Sequence, residues 1–274
     1  MSKTYNLRIS DFQVPPGKKA HLKRRDPDES CGLKDADEAK PLLEKDLKRL
    51  SDLQERLFAE NRQSLLVILQ GMDTSGKDGV VKHVFSGVNP GGCSVTRFKT
   101  PSVEELEHDF LWRIHKAVPR RGEIGIFNRS QYEDVLVVRV HNLVPPSAWK
   151  RRYTQINRFE RTLSETGTRI LKFYLQIDKG EQKRRLQARL DDTTKRWKFS
   201  RTDLKERELW PDYQAAYEDA LTECSTPWAP WHVVPANRKW VRNLVVARAI
   251  VEALEEMDPR LPKAPGSLSR IRVR

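Results

Sequence analysis

The chain has 274 residues, of which 38% are hydrophobic and 32% charged, and a formal net charge of +13. That length is enough for one large α/β domain or a core with an inserted subdomain, and no apolar run approaches the ~20 residues that span a bilayer. The basic balance favours a polyanionic partner, whether nucleic acid, an acidic surface or a phosphate polymer, and only the placement of the basic residues separates these from a merely solvated surface.

Met1–Pro41 reads as an arm with little regular structure, punctuated by Pro15-Pro16-Gly17 and the mixed-charge run His21–Asp28. Its start, Met1-Ser2-Lys3-Thr4-Tyr5, lacks the apolar segment of a signal peptide. Cys31, Cys93 and Cys224 show no metal-binding spacing. A reduced, cytoplasmic setting is therefore expected. Leu42–Asn61 has the spacing of an amphipathic helix, with Leu43, Leu47, Leu50, Leu53 (or Gln54) and Leu57 at three- and four-residue steps.

Ser64–Gly79, SLLVILQGMDTSGKDG, is the stretch around which the rest is arranged. Leu65–Leu69 is an apolar run suited to a strand buried on both faces of a parallel sheet. Gly71-Met72-Asp73-Thr74-Ser75-Gly76-Lys77 has the G-x-x-x-x-G-K spacing of a phosphate-binding loop, and a helix is expected from Asp78 onward. Glycines let backbone N–H groups face an anion, the helix offers its positive end, and Lys77 adds a full charge. Asp78 stands where such loops usually carry Ser or Thr, and Asp73 places a second carboxylate inside the loop. Two carboxylates would repel bare phosphate, so a divalent metal is expected there.

After the turn Val88–Gly92, Cys93–Lys99 reads as a strand, with Arg97 and Lys99 at the end where open α/β sheets place ligands. Ser102 and Glu105 form a capping-box spacing that opens a helix with Val103, Leu106, Phe110, Leu111 and Ile114 on its buried stripe. Glu123–Phe127 is a third strand, followed by the polar cluster Asn128–Asp134, which suggests a site. Ser147–Glu165 is a long helix with Trp149, Tyr153, Ile156, Phe159 and Leu163 on one face, and Thr168–Ile177 is a fourth strand. Lys179–Trp210 holds eleven Lys/Arg against six Asp/Glu, and Arg185 and Arg189, four apart, share a helix face. Such a segment fits a mobile lid whose arginines close over phosphates. Trp197, Phe199, Trp210, Tyr213 and Tyr217 fit core and hinge packing better than base stacking. Trp231–Pro235 is a fifth strand, Asn243–Met257 the closing helix, and Arg260–Arg274 a basic, proline-containing tail.

Taken together, Gly71–Gly79, Phe127–Leu136, Glu181–Leu186, Lys195–Phe199 and Pro230–Asn237 resemble the family-2 polyphosphate kinases, over roughly Leu42 to Met257. The resemblance implies a three-layer α/β/α sandwich like that of thymidylate kinase, with a five-stranded parallel sheet and a helical lid at about 179–225, between an arm (1–41) and a tail (258–274). It implies phosphoryl transfer between inorganic polyphosphate and ADP or AMP, with Mg²⁺ or else Mn²⁺, by a homodimer or homotetramer. Asp73, Glu133 and Asp134 would hold metal, and Lys77 would bridge donor and acceptor. The phosphate chain would run along Gly71, Thr74, Ser75, Gly76, Lys77, Asp78, Arg129, Lys179, Arg185 and Arg189. The nucleotide would meet Arg97, Asn128, Glu133 and Arg139, while Asp73, Lys77, Arg129 and Asp134 would form the catalytic set. The family often has Asp where this chain has Asn128, which makes Asn128 a hydrogen-bonding positioner rather than a metal ligand.

The rival of the same fold is an ATP-dependent nucleotide or nucleoside kinase, against which Asp78 argues. A nucleic-acid binder is a second rival, but the chain shows no zinc-finger spacing, no helix-turn-helix signal and no aromatic RNA-binding motif. No membrane association is expected.

Overall fold

Every residue of β1 (Ser64–Gln70) is buried, because this strand lies at the centre of a five-stranded sheet. The computed structural model, which describes residues 7–263, 266 and 272, places it among β2 (Cys93–Arg97), β3 (Ile124–Asn128), β4 (Thr168–Gln176) and β5 (Trp231–Pro235). All pairings are parallel and the order is β2-β3-β1-β4-β5. Parallel strands need crossover helices on both faces, which is why their apolar runs are continuous rather than alternating.

Among the described residues, α1 (Ala36–Glu60) precedes β1 and α2 (Lys77–Val84) follows it. The short α3 (Val103–Leu106) and α4 (Trp112–Lys116) join β2 to β3, and α5 (Val137–Val140) and α6 (Pro146–Glu165) join β3 to β4. The β4–β5 connection is α7 (Lys179–Asp191), α8 (Arg201–Glu208) and α9 (Trp210–Glu223), and α10 (Lys239–Met257) follows β5. Alternate β1 side chains feed two cores. Leu65, Val67 and Leu69 join residues of α1, α2 and α10, whereas Leu66 and Ile68 join residues of α4, α6 and α9. The result is an α/β/α sandwich. Each fully buried Leu, Ile or Val contributes roughly 1.5–3 kcal/mol, more than a surface ion pair, so these two clusters set the architecture.

Three expectations need correction. First, α1 begins well before Leu42. Asp35 caps it by accepting from the N–H groups of Asp37 and Glu38, and Pro41 is carried inside the helix at the loss of one ladder bond. Second, the stripe from Val103 to Ile114 is not one buried face. The capping box at Ser102 and Glu105 closes only a single turn, and Asp109 then takes the Leu111 N–H and breaks the helical phase. Ile114 is fully buried, but Val103 and Leu106 are 77% and 69% exposed. Third, Trp197 does not pack in the core; it is 78% exposed beside Lys198, while Tyr213 and Tyr217 are buried as expected.

The arm is packed rather than loose. Val14 N donates to Trp231 O at 2.8 Å, Gln13 bridges His232 antiparallel, and Val14, Ala20 and Leu22 are buried. The three cysteines are free, and no helix of the described residues is long and apolar enough to cross a membrane. The basic tail falls largely outside the described residues.

Candidate active site

The 71–77 loop leaves the C-terminal end of β1 and enters α2 at Lys77. Two glycines are needed for its shape. Gly71 has φ +148°, and a Cβ there would lie 2.8 Å from Leu175 O; Gly76 has φ +106° and sits against the guanidinium of Arg242. Thr74, a β-branched residue, also has positive φ, +69°. Such a conformation persists only where neighbours hold it. Inside the loop the Thr74 and Ser75 hydroxyl oxygens are buried without a hydrogen-bond partner. Orphaned polar atoms in a glycine-framed cradle fit an anion that arrives with the substrate.

Lys77 folds back across the loop, donating to Gly71 O at 2.5 Å and to Met72 O at 3.3 Å. Burial lowers its pKa to about 8, and Arg129 pushes the same way; Asp73, Glu133 and Asp78 oppose. Arg129 follows β3 with φ +65°, its N–H held by Leu69 O. Its guanidinium lies 2.7 Å from Asp73 Oδ1 and 3.0 Å from Glu133 Oε2. Glu133, and after it Asp73, keeps Arg129 firmly protonated against the cost of burial. Asp73, Lys77, Arg129 and Glu133 therefore form one coupled group at the C-terminal ends of β1 and β3.

A second group lies alongside. Asp78 Oδ1 accepts from Asn128 Nδ2 at 2.7 Å and lies 3.3 Å from Arg97 Nη2. The carboxylate that replaces the usual hydroxyl is thus held by β3 and β2.

Other foreseen residues sit elsewhere. Asp134 is taken up by two arginines: its Oδ1 is 3.1 Å from Arg152 Nη1 and its Oδ2 is 3.9 Å from Arg113 Nη2. Burial raises its pKa to about 6 despite these two arginines. It braces α4 and α6 against the 131–134 turn, and the expected Asp73–Glu133–Asp134 metal set is not assembled; no group of three or more such ligands occurs among the described residues. The reason is local. Asp134 ends a 3₁₀ turn, Gln131–Asp134, that directs successive side chains to different sides. Arg139 donates to Asp219 at 2.7 Å and stacks over Trp149, tying α5 to α9 and α6 rather than facing the 71–77 loop. Arg189 pairs with Asp203 at 3.6 Å, linking α7 to α8, and Lys179 is exposed. Arg185 lies under the loop with its donors on backbone carbonyls, so the expected grip on a polymer does not match its position.

Asp73 Oδ2 has no protein partner among the described residues. A Mg²⁺-type ion uses one or two carboxylates plus phosphate oxygens. The donor set fits such a shared ion, and not an all-protein cage.

Several contributors escaped the sequence reading. Arg242, 2% exposed, lies against Gly76 and Gly79, its guanidinium donating to Asn243 Oδ1, and burial lowers its pKa to about 10. It brings positive potential to the cradle from behind. Burial, and after it the charge of Asp73, raises the pKa of Asp203 of α8. Behind the 131–134 turn, Lys172 donates to Tyr132 Oη (2.8 Å), Glu160 Oε2 (2.6 Å) and Cys224 O (2.6 Å), and Glu160 Oε1 accepts from Gln131 and Tyr132. A lysine in the middle of the apolar run TRILKFYLQI is the one signal that pointed to this network.

A parallel α/β/α sandwich with a lysine-bearing anion loop at the end of β1, faced by an arginine after β3, defines a P-loop phosphotransferase. Comparison with known proteins narrows the class. The family model Polyphosphate kinase 2 (PPK2) matches residues 33–262, and the chain belongs to that family. It is 50% identical over 96% of its length to the AMP/ADP-polyphosphate phosphotransferase of Meiothermus ruber, covering 99% of that protein. It is 44% identical over 94% of its length to the ADP-polyphosphate phosphotransferase of Rhodopseudomonas palustris, covering 93% of it. The crystal structure of polyphosphate kinase 2 from Arthrobacter aurescens TC1 superposes with a TM-score of 0.92 at 45% identity, over 97% of each chain.

Proposed function

We propose that this protein transfers a phosphoryl group from inorganic polyphosphate to AMP and to ADP, with Mg²⁺. The observation that carries the reading is the coupled group of Asp73, Lys77, Arg129 and Glu133 in a cradle with orphaned hydroxyls. Full-length similarity to an enzyme named for both nucleotides supports the choice of acceptors.

Phosphoryl transfer passes through a loose transition state with charge spread over the equatorial oxygens, so the protein's work is positioning and charge stabilisation. Lys77 leaves the loop carbonyls and places its ammonium on the transferring group. Arg129, held by Glu133, presents its guanidinium to the oxygens that gain charge. Asn128 and Arg97 fix Asp78 at the edge where the acceptor enters. Asp73 and phosphate oxygens would hold Mg²⁺, which when bound neutralises charge on the phosphate chain. A terminal oxygen of the nucleotide attacks the terminal phosphorus of the polymer in line, and the shortened polymer leaves.

The test supplies AMP or ADP with polyphosphate and Mg²⁺ and no ATP. ADP and ATP are the expected products. No product from either acceptor overturns the reading, and turnover only with ATP as donor favours an ATP-dependent nucleotide kinase instead.

A further inference from the structure

Three consecutive carbonyls of the anion loop are held by α7. Gln182 Nε2 donates to Asp73 O at 3.1 Å, and Arg185 Nη1 donates to Thr74 O at 2.8 Å and Ser75 O at 3.0 Å. Arg185 Nη2 donates to Ala236 O and, at 2.9 Å, to Asn237 O in the β5–α10 connection, and its Nε donates to Glu181. All five N–H groups of the guanidinium thus have acceptors. Gln182 is 1% exposed, and its Oε1 accepts from Arg207 Nη1 of α8 at 3.0 Å.

The arrangement has a direct effect on the cradle. In a trans peptide, a carbonyl and the next residue's N–H point in opposite directions. Fixing Asp73 O and Ser75 O toward α7 turns the N–H groups of Thr74 and Gly76 the other way, into the loop. The Ser75 N–H closes the turn on Met72 O at 3.0 Å. The positive φ of Thr74 is held by the same contacts, since Arg185 takes the carbonyl of that very residue. A lysine keeps the charge but offers three donors from one point, and reaches neither pair of carbonyls at once.

We propose that Arg185, assisted by Gln182, is a positioning residue that sets the anion loop for transfer and does not bind the polymer. This rests on the phosphotransferase reading above. It makes the base of α7 a fixed part of the site.

The experiment compares wild type with Arg185→Lys, Arg185→Ala and Gln182→Met. For each, kcat and KM are measured with short and long polyphosphate. Amide hydrogen exchange of the segment 71–77 is measured without substrate. A misplaced cradle costs about 100-fold in kcat, and both Arg185 variants are expected to lose about that much. KM for polyphosphate should stay within about twofold at either chain length, the pattern left when stabilisation specific to the transition state is lost, and guanidinium ion should partly restore Arg185→Ala. Gln182→Met, which frees one carbonyl, should lose about tenfold in kcat with KM unchanged. Exchange in 71–77 should quicken in all three variants. Near-normal kcat in Arg185→Lys, or a KM that rises with chain length in Arg185→Ala, overturns the proposal and returns Arg185 to the polymer track. If wild type makes no product from polyphosphate, the functional reading fails. The exchange data then still decide: unchanged protection of 71–77 in Arg185→Lys overturns the positioning role.

Discussion

Arg129 Nη2 lies 2.7 Å from Asp73 Oδ1, joining the anion loop to the turn after β3 by one charge-assisted bond. Asp73→Asn keeps an acceptor for Arg129 but removes the charge that an incoming cation needs. The expected outcome is a folded enzyme whose Mg²⁺ requirement rises about tenfold or more, in line with losing one carboxylate from a shared site. A Mg²⁺ titration of initial rate measures it, and an unchanged half-saturation point removes Asp73 from the metal's surroundings.

Asn128 and Asp78 form a complementary donor–acceptor pair at 2.7 Å. Asn128→Asp would place two carboxylates in contact, which is tolerated only with a shared proton or a cation between them. Asp78 is more than half exposed, so solvent limits the penalty to about 1 kcal/mol, a fall in Tm of about 2–4 °C for a domain of this size. Melting curves with and without Mg²⁺ should show the deficit only in its absence.

Lys77 is cationic below its pKa of about 8. The working form is the protonated one, so kcat/KM for polyphosphate should fall as pH rises through about 8, and the limb of kcat should lie higher because bound phosphate favours the cation. The sign for stability is opposite. The unfolded chain holds this proton up to about 10.5, so the folded state bears a cost below about 8 that disappears between those values. Removing the buried charge relieves up to about 3 kcal/mol at neutral pH. Lys77→Met is therefore expected to abolish turnover while raising Tm at pH 7, with the gain fading by pH 10.

Lys172 and Glu160 are 2.6 Å apart and fully buried. Glu160→Gln leaves the lysine uncompensated, and a loss of about 3–5 kcal/mol in denaturant unfolding is expected. Lys172→Met with Glu160→Leu should recover much of that stability. It should not recover kcat, because Gln131 and Tyr132 lose the carboxylate that anchors the turn after Arg129.

The sheet was legible because strands buried on both faces read as unbroken apolar runs; Trp231–Pro235 falls where WHVVP places it. The anion loop was legible because its glycines and lysine have fixed spacing. Side-chain direction was not. Asp134 and Arg139 belong to the right segment, but a 3₁₀ turn and a four-residue helix aim them at Arg152 and Asp219. Arg185 was visible as a charge, yet nothing in a basic run distinguishes a guanidinium buried on carbonyls from one in water. Val103 and Leu106 misled because helical spacing carries no record of where a short helix stops.

The strand at one end of the sheet, β5, would offer a row of bare amides and carbonyls to any passing chain were it not for the segment laid across it at Gln13 and Val14. A version of the protein beginning at residue 16 loses that cover, and light scattering should report its self-association at concentrations where the intact chain stays dispersed. The stretch around Gln13 and Val14 thus acts as a hem: it keeps molecules from being stitched to one another, a task remote from phosphate chemistry.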